Sequence, residues 1–432
     1  MPRTGWRDWL GLNASTFALL GAILLVTAAT ELWSPLIPEY IRALRRAETA
    51  DPRTLLIVGA YGFAKVLLEA VNYYAGGALA GRFNTRRALL AFNVVPLAGL
   101  AILLVWQTPL AVFVALPFIM VWDSIAGPAT ITVVSESVPA ARRTMAFSIQ
   151  AIFRRISRIV AYGISAPLIW YFGRVAGMRI DVALAIVLVV AAVVIQYHYQ
   201  RTAARDAAVE IHRPRGLLRR FDPDLRRLLA ADVAARWAEE MANPFIILYC
   251  VPLLAAHAAR GTALYQSTLL SIQAVTCIVL YVVIGPLASR EGLAKKPYIG
   301  LTFVFFALFP ISLALLGPSL GFAGLAAAFV VGGLREIGEP ARKAMIADLA
   351  PPDVRSQAIG LYWAMRSAAV MWAAPVGALL WIGGDLWRPG FGPFLMFSTA
   401  GLIGLAGAAA FFLRFGRAPS AGSVDAGAPR GR

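Results

Sequence analysis

Stretches of about twenty apolar residues recur along almost the whole of this 432-residue chain. A bilayer has a hydrocarbon core of about 30 Å, which a helix of about 20 residues can cross. Because 59% of the residues are hydrophobic and only 15% are charged, the chain is too apolar for a soluble protein. The runs lack the long alternation of apolar and polar residues that a barrel needs, so they predict membrane-spanning helices.

The apolar runs predict twelve membrane-spanning segments, which we number as spans 1 to 12. In chain order they cover residues 15–40, 53–80, 88–106, 109–137, 143–172, 181–200, 226–256, 262–288, 297–316, 319–349, 354–383 and 390–415. We expect the first span to be retained, since it is too long for a signal peptide and has no small-residue cleavage site. Both cysteines, Cys250 and Cys277, fall inside spans, where small structural core residues are expected.

Positive charge indicates the orientation of these spans. The formal net charge is +17, and most of the 40 Lys and Arg fall in loops that are cytoplasmic if the N-terminus is inside, as the positive-inside rule requires. The basic first external loop is the exception, with Arg42, Arg45, Arg46 and Arg53. We therefore expect both termini in the cytoplasm. The arginine-rich segment between spans 6 and 7 is expected to contact anionic lipid rather than nucleic acid.

The second half of the chain repeats the first at a shift of about 210 residues, the sign of an internal duplication. Matching sets are Glu31, Pro35 and Tyr40 with Glu240, Pro244 and Tyr249, and Pro128, Glu136, Pro139 and Arg143 with Pro340, Asp348, Pro351 and Arg355. The repeat predicts an all-α membrane protein of two pseudo-symmetric six-helix bundles. The expected parts are residues 1–200, a cytoplasmic linker at 201–225, a second half at 226–416 and a disordered tail at 417–432. Arg366 aligns with either Arg154 or Arg158, depending on the shift.

A Gly-x-Leu-Ala motif with a following Arg stands after span 2 and again after span 8. Its residues are Gly77, Leu79, Arg82 and Arg86 in the first copy and Gly285, Leu287 and Arg290 in the second. With the duplication, these copies resemble the signature of the major facilitator superfamily, and the resemblance covers nearly the whole chain. Both copies lack the family's Asp, which is replaced by Gly81 and Ser289. The resemblance implies alternating-access transport, a gating role for the motif, and a central cavity lined by spans 1, 4, 7 and 10 with spans 2, 5, 8 and 11 beside them.

Charged residues inside the spans are the candidate transport residues, because each costs several kcal/mol unless it is paired or faces water. The bases are Lys65, Arg154, Arg155, Arg158, Arg236, Arg335 and Arg366, and an equal number of acids accompanies them: Glu31, Glu69, Asp123, Glu239, Glu240, Glu336 and Glu339. Four-residue spacing places Lys65 with Glu69 and Arg236 with Glu240. Both pairs are also explained as intrahelical ion pairs that lower the cost of burial.

Glu31 and its counterpart Glu240 are the candidates for proton coupling. No base lies within a helical turn of Glu31, and Pro35 follows to loosen the backbone. A desolvated carboxyl can bind and release a proton as a cavity opens to either side. The alternative is a structural, hydrogen-bonded acid.

Two further charge arrangements are expected. Asp123 and Arg335 occupy equivalent positions in spans 4 and 10 and predict an ion pair across the cavity, with a local pair of Arg335 and Glu339 as the alternative. The bases Arg154, Arg155, Arg158 and Arg366 would instead suit an anionic substrate, since guanidinium groups bind oxyanions through forked hydrogen bonds.

The predicted function is secondary active transport of a small organic solute, coupled to protons and directed outward, by a monomer in the cytoplasmic membrane. The chain has no phosphate-binding loop, and its three histidines lack metal-ligand spacing, so we expect no enzyme activity, metal or cofactor. Uptake or facilitated transport of an organic anion or a sugar-like solute is the alternative within transport. A membrane enzyme or a receptor-like protein is the alternative from another class.

Overall fold

The computed structural model describes residues 14–79, 85–121, 143–199, 213–255, 262–288 and 296–415, and these ranges hold helices and no strand. The α-helices are Ala14–Trp33, Ile37–Arg45, Pro52–Leu79, Thr85–Val105, Pro109–Ile119, Arg143–Phe172, Arg174–Tyr199, Pro214–Arg219, Pro223–Ala255, Thr262–Ala288, Lys296–Leu334, Glu339–Leu349, Arg355–Val370, Ala373–Trp387 and Gly392–Phe415.

Every predicted span overlaps at least one of these helices, so the all-helical class is confirmed. Seven segments of the described residues are long and apolar enough to cross a membrane by length and composition. The protein is therefore a multi-pass membrane protein. The tail and residues 201–212 of the linker lie outside the described residues, as does the part of span 4 after residue 121.

Span 1 is interrupted at Pro35. The first helix ends at Trp33, Ser34–Leu36 form a short 3-10 turn, and a second helix begins at Ile37. Proline has no N–H and its ring clashes with the preceding helical turn, so a break is the expected result. In span 7, Pro244 and Pro252 lie inside the single helix Pro223–Ala255.

The basic first loop is locally neutralised. The second helix of span 1 runs five residues past its predicted end, to Arg45. Arg42 pairs with Glu39 at 2.6 Å, and Arg45 lies 3.4 Å from Asp51. These acids reduce the excess of positive charge at this point of the predicted topology.

Two charged residues stand where span 10 is interrupted. Spans 9 and 10 lie in the range Lys296–Leu334, which is divided into two helices by a kink at Gly321, where φ is 56° and ψ is −130°. A four-residue turn at 335–338 then separates Leu334 from Glu339, and it carries Arg335 and Glu336. The turn places both charges at a helix end inside the bundle, and it separates Arg335 from the helix that begins at Glu339, its predicted local partner.

The two halves meet along two helix pairs, span 2 with span 11 and span 5 with span 8. Close approach of spans 2 and 11 requires glycine. A Cβ on Gly360 would lie 2.6 Å from the Tyr73 carbonyl oxygen and 2.8 Å from the Gly77 Cα. An ion pair and a hydrogen bond of Arg174 join span 1 to span 8, since Arg174 binds Glu39 at 2.8 Å and donates to the Thr262 hydroxyl at 3.0 Å.

Replacing Gly360 with alanine is expected to lower the unfolding free energy by about 1 to 3 kcal/mol, because the added methyl group overpacks the contact with span 2. The unfolding temperature of the detergent-purified protein measures this. Gly163→Ala is the matched control, since nothing lies within 4 Å of its added Cβ and alanine favours helix. Equal unfolding temperatures for the two variants would contradict the close packing of spans 2 and 11.

Candidate functional site

A cavity lies between the two halves and has two lobes, of about 400 and about 360 Å³. Its walls come from spans 1, 2, 5, 7, 8, 10 and 11, and Leu116 and Ile119 of span 4 join the second lobe. The residues that line both lobes are mostly charged or polar: Glu31, Ser34, Tyr61, Lys65, Gln150, Arg154, Arg158, Arg236, Glu339 and Lys343. The embedded charges therefore share one polar interior.

Glu31 is held by two residues of span 5. Arg158 Nε donates to Glu31 Oε1 at 2.5 Å, and the Tyr162 hydroxyl donates to Glu31 Oε2 at 2.9 Å. The sequence placed no base near Glu31 because Arg158 lies 127 residues further along the chain. The charged carboxylate is thus stabilised by a cation from the neighbouring helix, a role that the sequence did not assign.

Lys65 and Glu69 form the expected pair one turn apart, at 3.8 Å. Glu240 lines the first lobe, as Lys65 does. Among the described residues, Glu240 has no ion pair or hydrogen bond within the usual distances. The two repeat-related acids therefore differ, since Glu31 is tightly bound and Glu240 is not.

Arg236 does not pair with Glu240, the partner that its four-residue spacing predicts. It binds Glu239 closely and lies 3.4 Å from Glu339 and 3.8 Å from Asp232. Its guanidinium also lies 4.8 Å from the centre of the Phe306 ring. The long side chain of Arg236 reaches three acids, two on its own helix and one on the helix that begins at Glu339. These three acids take the place of Glu240 as its partners.

Arg335 also has a different partner from those expected. It lies 3.3 Å from Glu239 and packs over the rings of Phe306 and Phe309, at 5.4 and 5.5 Å. The local alternative, a pair with Glu339, does not form. The other expected partner, Asp123, lies outside the described residues, so the ion pair across the cavity stays a prediction.

An ion pair that the sequence did not predict joins the halves beside the cavity. Arg155 of span 5 lies 2.9 Å from Glu336 of the span 10 turn, and the Tyr281 hydroxyl of span 8 donates to Glu336 at 2.6 Å. Arg155 and Glu336 were both predicted to lie inside spans, but their pairing was not predicted. It depends on the turn at 335–338, which brings Glu336 to face span 5.

Arg342 is the most deeply buried base of the cluster, with a side chain that is 1% exposed. It binds Asp232 closely and donates to both oxygens of Glu339, at 3.0 and 2.7 Å. Tyr362 donates to the same Asp232 at 3.1 Å, and Arg366 lies 3.7 Å from it. Arg342 was not among the predicted embedded bases, although it lies within span 10, one turn after Glu339 on the same helix.

The whole chain resembles solved transporter structures. It resembles the human organic anion transporter MFSD10 at 14% identity, over 92% of this chain and 99% of that one, with a TM-score of 0.61. It resembles the nucleoside transporter NupG at 14% identity, over 93% of this chain and 100% of that one, with a TM-score of 0.68. It resembles the major facilitator superfamily proton:xylose symporter XylE at 13% identity, over 93% of this chain and 95% of that one, with a TM-score of 0.65.

The chain has the major facilitator fold. No protein-family model matches its sequence, and no curated protein matches it either. At these identities the likeness concerns the fold, so the roles of individual cavity residues rest on their own contacts.

The repeated motif of the major facilitator fold lies only partly in the described residues. Gly77 contacts span 11, where an added Cβ would lie 2.8 Å from the Ser356 carbonyl oxygen. The backbones of Leu79, Arg86, Gly285 and Leu287 are helical, whereas Arg82 and Arg290 lie outside the described residues. A gating role for the motif stays a prediction, and the contact of Gly77 supplies one physical reason for its glycine.

Proposed function

We propose that this protein is a secondary active transporter that moves a small organic solute by alternating access, with protons as the coupling ion. The observation that carries the proposal is the polar cavity between the halves. Its size is that of small-molecule sites, which range over about 300 to 1,000 Å³. A site at the interface of two repeats is what alternating access requires, because the halves can rock around it.

Three similar structures belong to carriers of an organic anion, a nucleoside and xylose, and they support solute transport in general. As predicted from the sequence, we place the protein in the cytoplasmic membrane with both termini inside, acting as a monomer in the export direction. The halves at 1–200 and 226–416 are the proposed moving units.

Glu240 is the proposed proton-binding residue, and Glu31 the proposed switch. Glu240 faces the cavity without a close partner in the described part of the chain. A carboxylate in this setting can exchange protons with water that enters from either side. Protonation of Glu31 would remove the charge that holds Arg158, so it would free a cation for the solute.

Proton coupling is tested in proteoliposomes with a panel of neutral, cationic and anionic organic solutes, with and without an imposed pH gradient. We expect a gradient to drive net solute movement, and we expect added solute to move protons. Opposite movement of the two would identify export by exchange, and parallel movement would identify uptake. Solute flux that moves no protons and ignores the gradient would overturn the coupling.

Replacing Glu240 with glutamine is expected to reduce gradient-driven flux by about tenfold or more, since the amide cannot carry the proton. Glu48→Gln is the matched control because Glu48 is exposed in the first loop. Exchange of labelled for unlabelled solute at equal pH should persist in both variants. Unchanged gradient-driven flux in Glu240→Gln would remove Glu240 from the proposal.

A further inference from the structure

Arg154 is a cation of the cavity wall that pairs with no acid among the described residues. It lines both lobes, yet it forms no ion pair or hydrogen bond with any residue of the described ranges, and its Nε is buried without a partner. Its neighbours on span 5 differ, since Arg155 binds Glu336 and Arg158 binds Glu31. A buried guanidinium is costly unless a counter-charge arrives.

Lys343 faces the same space from the other half. It also lines both lobes, and its nearest acid is Glu339, at 3.8 Å. That carboxylate already accepts two hydrogen bonds from Arg342 and one from Arg236. Lys343 and Arg154 line the same two lobes, so two positive charges face one space. Among the described residues, Arg154 of span 5 thus has no carboxylate partner, and Lys343 of span 10 shares its one carboxylate with Arg342 and Arg236.

The wall as a whole carries an excess of positive charge. Nine cationic side chains line the two lobes against six acidic ones, and Asp232 behind Arg342 brings the acids to seven. These counts cover the described residues. An anionic solute would bring the interior closer to neutrality, whereas a cationic solute would move it further away.

We propose that Arg154 and Lys343 bind an oxyanion group, a carboxylate or phosphate, of the transported solute. Arg154 would supply the forked donor pair that matches such a group, and Lys343 would supply a compact charge from the opposite side. Gln150, one helical turn before Arg154, lines both lobes and adds an amide donor. The proposal rests on the proposed function and names the solute class as an organic anion.

This site joins the two halves through its ligand, which gives a readout that is independent of transport. Arg154 belongs to the first half and Lys343 to the second, so a bound anion would replace their mutual repulsion with attraction. A ligand that binds the folded state raises the unfolding temperature in a concentration-dependent way. Binding can therefore be measured on the detergent-purified full chain.

The experiment compares three anions with their neutral counterparts: benzoate with benzamide, glutarate with glutaramide, and glucose 6-phosphate with glucose. We expect at least one anion to raise the unfolding temperature while its neutral counterpart does not. A shift with benzoate or glutarate would identify a carboxylate as the bound group, and a shift with glucose 6-phosphate would identify a phosphate. No shift by any anion, or equal shifts by the neutral partners, would overturn the site.

Variants then assign the effect to the two cations. Arg154→Gln and Lys343→Gln are each expected to weaken the binding of that anion by about tenfold or more, the effect of losing a charge-assisted hydrogen bond. Arg154→Lys should keep part of the affinity, and Arg213→Gln, which removes an exposed base outside the cavity, should keep all of it. Undiminished binding in both glutamine variants would overturn the proposal.

Stability without ligand separates binding from a structural role. Because Arg154 has no acidic partner in the described part of the chain, Arg154→Gln is expected to unfold at the same temperature as the unaltered protein, or higher. A large decrease would assign Arg154 to the structure and overturn the site. Anion binding without flux in proteoliposomes would support the site and reject the transport function. Flux of neutral or cationic solutes without anion binding would support the transport function and reject the site.

Discussion

Replacing Arg342 with methionine is expected to lower the unfolding free energy by about 3 to 5 kcal/mol, the usual effect of removing one partner of a buried ion pair. Arg342 is 1% exposed and holds Asp232 and Glu339. Methionine keeps much of its volume and none of its charge, so Asp232, which is 0% exposed, would lose its closest counter-charge. The unfolding temperature in detergent, followed by tryptophan fluorescence, measures the effect.

Two further variants make this test specific. Adding Asp232→Asn to Arg342→Met should restore part of the lost stability, because it removes the buried charge that the first change leaves behind. Arg388→Met is the control, since Arg388 is exposed after span 11. If the double variant were no more stable than Arg342→Met, the ion pair would not be the cause of the loss.

Replacing Glu31 with glutamine is expected to reduce solute flux driven by a pH gradient by about tenfold or more, the equivalent of about 1.4 kcal/mol. The amide has nearly the same shape and can still accept from Tyr162, but it carries no charge to hold Arg158. Flux in proteoliposomes with and without the gradient is the measurement.

Labelled exchange at equal pH separates coupling from a general loss of activity. It should fall less in Glu31→Gln than gradient-driven flux does, and Glu48→Gln, which changes an exposed acid, should alter neither. Unchanged gradient-driven flux in Glu31→Gln would exclude Glu31 from coupling and leave it a structural, hydrogen-bonded acid.

Hydrophobic runs and the internal repeat were sufficient to predict the fold. Each span needs only its own apolar length, so most helices were located, and Pro35 was recognised as a weak point of span 1. The helix of span 6 nevertheless begins at Arg174, before its predicted start, and the turn at 335–338 inside span 10 was not predicted. The contact of Gly77 with span 11 follows the same logic, because a repeated glycine next to a helix pair predicts close packing.

The pairing of charges could not be predicted in the same way. Spacing along one helix predicted the pair of Lys65 and Glu69 correctly, but Arg236 and Arg335 both pair with Glu239 instead of their predicted partners. Long side chains choose among all acids within reach, including those on other helices, and sequence distance does not measure that reach. Glu31 with Arg158 is the clearest case, since the partners belong to spans 1 and 5.

The prolines of spans 1 and 7 have a mechanical consequence for the two proposed proton sites. A regular helix would bond the N–H of residue 35 to the carbonyl of Glu31, and the N–H of residue 244 to that of Glu240, but Pro35 and Pro244 have no N–H to give. Both prolines line the first lobe. The proposed proton site of each half therefore lies one turn before a proline, and its carbonyl lacks the N–H that a regular helix would supply. We expect a hinge motion at either proline to displace the carboxylate, which would couple movement to ionisation at that residue.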